Sequence, residues 1–254
     1  MSFRLFLIGC VLVAASGCAK PARSGPVAPS GELPAAPDVS QGRVELDTLD
    51  QTFRAHGNEP FWGLEISRTA ITFRTPDDPP LTLPSPAPAL VTGRRRYTTR
   101  GGGHQLTATV ADRVCTDGMS GMTYPSSVTV VVDGREYRGC GGDPASVLQG
   151  AEWVVEDVNG TGIIDRSRLT LNFSADNRIF GDAGCNTYNG RYTLTGEGLT
   201  VASPVTTLRA CAESLMQQED RFLKVLANVR RFEITSTGAL VLHTDDGRSI
   251  TARR

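Results

Sequence analysis

The sequence predicts a mainly β, or α+β, protein built as two small antiparallel β domains, the second a curved sheet carrying one packed amphipathic helix. Three observations predict it. Gly (27) and Pro (15) are abundant among 254 residues, which favours turns and short strands over long helices. Short β-branched runs end repeatedly in two-residue turn signals. Helical periodicity occurs in one stretch, 213–228. Hydrophobic residues at 39% and charged residues at 21% suit an ordinary globule and exclude a polytopic membrane protein. Aromatics are only 6%, so the core is expected to rest on Val, Leu, Ile and Thr. A net charge of −1 gives no electrostatic footprint for nucleic acid.

The first element is an export signal, expected over 1–17. Arg4 supplies the positive start, and the apolar run 5–15 is too short to span a membrane, which takes about 20 residues. Ala15-Ser16-Gly17-Cys18 follows. Small residues ending in Cys at such a site resemble the bacterial lipobox. That resemblance implies cleavage before Cys18 and its acylation, with anchoring at roughly 0.8 kcal/mol per buried methylene. Ala19 rather than Asp then implies the outer membrane, facing the periplasm. Plain secretion with cleavage near Gly17 is the alternative. Residues 19–42 hold five Pro, five Ala, three Gly and three Ser and no aromatic. Such a composition cannot offset its ordering entropy, so 18–49 is expected to be the lipidated Cys followed by a disordered tether.

The cysteines agree with an oxidising compartment. Setting aside Cys10 and Cys18, four remain: Cys115, Cys140, Cys185 and Cys211. Sequence order suggests Cys115–Cys140 and Cys185–Cys211, each pair inside one half of the chain. Neither gap has zinc-ribbon spacing and no C-x-x-C occurs, so no metal site is expected.

Over 50–143 a small barrel-like antiparallel domain is expected. Strand-like runs cover 61–67, 70–74, 105–110 and 128–132, and Asp133-Gly134 is a hairpin signal. Six prolines in 76–88 predict a loop there. Over 147–254, strands are expected at 152–157, 168–173, 191–194, 199–202, 231–234, 240–243 and 249–252. Turns are expected at Asn159-Gly160, Asn189-Gly190, 196–198, Gly238 and Asp246-Gly247. Leu215, Phe222, Leu226 and Val229 form one face of the helix, with Met216 and Leu223 alongside.

Motifs add a family to this outline. Leu148-x-Gly150-x-x-Trp153, Asn159-Gly160, Gly181-x-x-Gly184-Cys185-Asn186-x-Tyr188-x-Gly190-x-Tyr192 and Thr206-Thr207-x-x-Ala210-Cys211 resemble the META domain family. The first half carries Gly57-Asn58-Glu59-Pro60-Phe61-Trp62, then Cys115-x-Asp117-Gly118-Met119-Ser120 and Gly139-Cys140. It resembles an uncharacterised lipoprotein domain found beside META domains. These resemblances imply a curved sheet with one helix, in envelope lipoproteins linked to stress tolerance, without an established catalytic activity or cofactor. Gly184 and Gly190 are expected to supply backbone conformations closed to other residues, and Asn186 to bond its own turn.

Chemistry-bearing residues are sparse. His56 and Glu59 read as a turn entering a strand, His104 as an exposed hairpin residue, and His243 as a strand residue. No nucleophile elbow or phosphate-binding loop occurs, and Asp112 and Asp117 read as solvated carboxylates, so a non-enzymatic protein is expected. Arg94, Arg95, Arg96 and Arg100 could clamp the phosphates of an anionic glycolipid, or simply guard a sheet edge. Ser120-Gly121-Met122-Thr123-Tyr124 resembles the S-G-x-x-Y loop of periplasmic C-type lysozyme inhibitors. In them that loop plugs the enzyme's cleft, which makes Ser120, Gly121 and Tyr124 candidate inhibitory residues. The partners to be expected are thus a membrane, through the lipid anchor, and an envelope protein, a glycolipid or lysozyme.

Overall fold

The computed structural model describes residues 52–254. The export signal, Cys18 and the tether lie outside the described residues. The first sheet is formed by β1 (Phe53–Asn58), β2 (Phe61–Ile66), β3 (Ala70–Arg74), β4 (Leu81–Pro84), β5 (Ala89–Val91), β6 (Arg94–Gly101) and β7 (His104–Ala111). The two-residue strands β8 (Cys115–Thr116) and β9 (Thr123–Tyr124) pair separately, and β10 (Ser126–Val132) and β11 (Arg135–Gly141) complete the main sheet. Its order is β4-β3-β2-β1-β11-β10-β7-β6-β5, antiparallel throughout.

Alternation decides which side of each strand faces inward. Leu106, Ala108 and Val110 of β7 are buried beside Val128 and Val130 of β10, while the intervening threonines face out. Trp62 stacks on Phe73 with centroids 6.1 Å apart, and Tyr137 closes the cluster. Asp133-Gly134 turns with both φ positive (49° and 86°), the geometry a two-residue hairpin favours. The proline-rich stretch 76–88 departs from the expected loop, because its centre, Leu81–Pro84, pairs with β3 as β4. An edge strand tolerates proline where no ladder donor is required. The sheet curls so that β4 meets β6, and the Thr99 hydroxyl donates to the Pro84 carbonyl at 2.8 Å.

After α1 (Ala145–Leu148), the second sheet contains β12 (Trp153–Val158), β13 (Thr161–Gly162), β14 (Thr170–Phe173), β15 (Arg178–Asp182), β16 (Thr187–Thr195), β17 (Gly198–Val201) and β18 (Val205–Thr206). Helix α2 (Glu213–Leu226) precedes β19 (Val229–Ile234), β20 (Leu240–Thr244) and β21 (Ser249–Arg253). The order β17-β16-β15-β14-β12-β21-β20-β19 brings the edges β17 and β19 together, so the sheet nearly closes on itself. Asn189-Gly190 is not a turn. It runs through β16, paired to Phe180 and Ile179, and Gly190 has no positive φ.

Helix α2 buries Phe222, Val225, Leu226 and Gln218 against this sheet. Two details of its expected face change. Val229 belongs to β19, and Met216 is exposed, because the helix ends at Leu226 and its buried stripe passes through Gln218 instead. Met122, from the loop between β8 and β9, is buried in the second core, with Tyr124 packed against it. Residues of both sheets fall in one unit, Glu45–Arg254.

Candidate functional site

The β8–β9 ribbon carries a loop, 117–122, held at its base by the Cys115–Cys140 disulfide and by the pairing of Cys115 with Tyr124. At its centre sits Asp117, 6% exposed. Its Oδ1 accepts from the Ser120 amide (2.7 Å), the Ser120 hydroxyl (2.7 Å) and the Met119 amide (3.2 Å). Its Oδ2 accepts from Asn58 Nδ2 at 2.6 Å and lies 3.4 Å from His56 Nε2. The His56 ring meets Tyr124 edge-on, centroids 5.0 Å apart. Burial pushes the Asp117 carboxyl up, but donation from Ser120, Asn58 and Met119 outweighs it and holds the group at about 2. Burial, with the Asp117 charge, raises the Tyr124 phenol.

The expected roles therefore change. Asp117 is buried rather than solvated, while Asp112 pairs with Arg95 at 2.9 Å. His56 lies in β1, and the turn is the following Glu59-Pro60, whose peptide is cis. Gly57 admits no side chain, since a Cβ would stand 2.2 Å from Trp62 Nε1 and 2.4 Å from the Arg138 carbonyl. Trp62 Nε1 donates to that carbonyl at 3.1 Å. Phe61 and Met119 stay exposed, at 54% and 74%. Of the S-G-x-x-Y stretch, Ser120 and Gly121 are exposed, whereas Met122 and Thr123 are buried and Tyr124 is half-buried. The Ser120 hydroxyl also accepts from the Met122 amide at 3.2 Å.

The arginine cluster divides between the two faces of β6. Arg94, Arg96 and Arg100 are exposed on one side, with Arg96 and Arg100 about 13 Å apart along the strand. Arg95 turns to the other side, onto Asp112 and over the Phe53 ring at 5.7 Å. Strand alternation thus forbids the four-arginine clamp. At the neighbouring hairpin, exposed His104 Nδ1 lies 2.6 Å from Asp133, and with the Gln105 amide it holds that carboxyl below its ordinary value.

In the second half, the Cys185–Cys211 disulfide joins two loops that Asn186 also ties. Its Oδ1 accepts from Thr207 Oγ1 (2.8 Å) and the Arg209 amide (2.7 Å). Its Nδ2 donates to Glu219 Oε1 (3.0 Å), and its own amide donates to Glu219 Oε2 (2.7 Å). Asn186 therefore bonds a distant loop and α2, rather than its own turn. Gly184 adopts φ +101°, and a Cβ there would come within 3.1 Å of Gln218 Nε2. Trp153 is buried, donating from Nε1 to the Leu148 carbonyl at 2.8 Å, with Arg254 over its ring at 4.2 Å. His243 is partly buried, its Nε2 3.3 Å from Glu233.

The nearly closed sheet, its packed helix and the disulfide-tied Gly-Cys-Asn loop all fall in the part of the chain that a family model matches. Residues 146–254 match the META domain. Two solved NMR structures share 24% identity with the chain. One, of a protein from Burkholderia xenovorans, aligns over 43% of this chain and 85% of that chain with a TM-score of 0.37. Another covers 42% of this chain and 92% of its own, with a TM-score of 0.36. No curated protein matches. Within residues 146–254, a trough of about 960 Å³ opens between β14, β15, β16 and β18.

Sequence reasoning missed the meeting of His56, Asn58, Asp117 and Tyr124, which are 59 residues apart at the Asn58–Asp117 bond. A local signal was present for part of it. Asp117 followed three residues later by Ser120 is the pattern of a side-chain-capped turn.

Proposed function

We propose that this chain is a non-enzymatic lipoprotein of the bacterial envelope, anchored through Cys18 in the outer membrane and facing the periplasm. In this reading it binds another envelope component through the ledge made by Phe61 and residues 118–121. One observation carries the binding half of this reading. The side chains that could do chemistry are spent on one another, while Met119 and Phe61 face solvent. Nucleophilic catalysis needs a hydroxyl aimed at a base able to take its proton. The Ser120 hydroxyl instead donates to a carboxylate that stays ionised and accepts three further hydrogen bonds. Rigid loops that present exposed apolar groups suit recognition, since little ordering entropy is lost on binding. The META match is compatible with an envelope role, and stress tolerance is the setting it suggests.

A photo-crosslinking residue placed at position 119 in living envelopes tests this. A discrete adduct is expected there, absent from the same residue placed at exposed Thr193 in β16. Equal, diffuse labelling at both positions overturns the ledge, and failure of Cys18→Ser to release the chain from membranes overturns the anchor.

Lysozyme inhibition is a second reading, favoured by the exposure of Ser120 and Gly121 on a disulfide-held loop. Because Met122 and Thr123 are buried, only residues 118–121 would enter an enzyme cleft. Titration of the purified chain against C-type lysozyme decides it: undiminished hydrolysis at micromolar excess removes inhibition and leaves the ledge proposal standing.

A further inference from the structure

We propose that the solvent face of β14, β15, β16 and β18 in the META domain is a carbohydrate-binding platform, taking a short neutral oligosaccharide with one pyranose ring stacked on Phe180. The site is separate from the Asp117 loop and does not rest on the reading given to it.

Register builds the platform. Asn172 pairs with Phe180, Phe180 with Asn189, and Asn189 with Val205, so one row crosses four strands on a single face. Cross-strand neighbours stand about 5 Å apart and next-nearest residues along a strand about 7 Å apart. An amide therefore flanks the Phe180 ring on each side. Asp182 lies beyond the ring along β15 in one direction and Arg178 in the other. The ring is 41% exposed in mid-strand, opposite the buried core positions of Ile179 and Leu171.

The chemistry of this row selects the ligand. An aromatic face accepts the C–H side of a sugar ring, and planar amide, carboxylate and guanidinium groups can each meet two neighbouring hydroxyls. The side chains of Asn189 and Asp182 make no hydrogen bond among the described residues, so their capacity faces solvent. Arg168 and Asn172 donate to Glu152 at the rim and hold its carboxyl below its ordinary value. Charges of both signs alternate around the ring, which favours a neutral, polyhydroxylated ligand over a polyanion or a basic peptide. About 960 Å³ of trough lies at the upper end of the usual range for small-ligand clefts and holds more than one sugar unit.

Calorimetric titration of the full chain with two probes tests the proposal: a β-1,4-linked N-acetylglucosamine tetramer and a maltotetraose. Millimolar binding of at least one is expected, and which one responds assigns the sugar class. Phe180→Ala is expected to weaken it at least tenfold and Phe180→Trp to retain it. Because Phe180 is exposed, thermal unfolding of both variants should match the parent. Asp117→Asn should bind the tetramer as the parent does. No heat from either tetramer overturns the proposal, as does binding indifferent to Phe180→Ala. Saturable binding of an extended Val–Thr peptide, with neither tetramer responding, also overturns it and assigns the free edge of β18 to strand addition.

Discussion

The Asp117 carboxylate collects donors from its own loop and from Asn58 in β1, and so converts a sequence-distant pair of motifs into one structure. Its folded value of about 2 lies below the ordinary 3.8. A depressed carboxylate contributes stability that is complete above its unfolded value and is lost as pH falls through the folded one. The shift corresponds to about 2 kcal/mol. Urea unfolding from neutral pH down to about pH 2 should show that loss below about pH 4. Asp117→Asn should flatten the dependence and cost about 1–3 kcal/mol at neutral pH, since it faces donors with a donor. An unchanged acid limb in the variant would place the titration elsewhere. Asn186 is the counterpart in the second half, and Asn186→Ala should lower stability by a similar amount, measured the same way, by leaving the Arg209 amide, the Thr207 hydroxyl and Glu219 Oε1 without their partner.

At the scale of elements, two disulfides close loops of similar length, with sequence separations of 25 and 26. Each contributes about 3.5 kcal/mol in the chain-entropy account. Their local effects differ, because Cys115–Cys140 ties the β8–β9 ribbon to β11, whereas Cys185–Cys211 ties the Gly-Cys-Asn loop to the approach of α2. Replacing Cys115 and Cys140 by Ser should speed amide hydrogen exchange at Met119 and Ser120, while replacing Cys185 and Cys211 should leave those amides protected. Equal acceleration by both changes would deny the ribbon its independent anchor.

Across the whole molecule, the buried Met122 carries part of the first half into the core of the second. Each sheet holds one tryptophan, Trp62 and Trp153, which gives a separate optical probe of each. Unfolding followed through single-tryptophan variants should give coincident transitions. Met122→Ala removes a buried side chain at a cost of about 2–5 kcal/mol and should separate the two transitions. Coincidence that survives the substitution would assign the coupling to other contacts.

Composition, turn pairs and period already determined that the chain is mostly β with one amphipathic helix, because these are local properties of a chain burying one side of each strand. Asp133-Gly134 and Asn159-Gly160 turn as their residues dictate. Other local signals were overruled by partners distant in the chain. Asn189-Gly190 is drawn straight by pairing with β15, and 81–84 becomes an edge strand because β3 offers a free ladder. The site was least legible. His56, Asn58 and Asp117 become neighbours only when β1 and a disulfide-held ribbon meet, and the Asn172–Phe180–Asn189–Val205 row exists only in register. Sequence spacing sets which side of its own strand a residue faces. Which residues of other strands stand beside it is set by long-range pairing, and recognition depends on those neighbours.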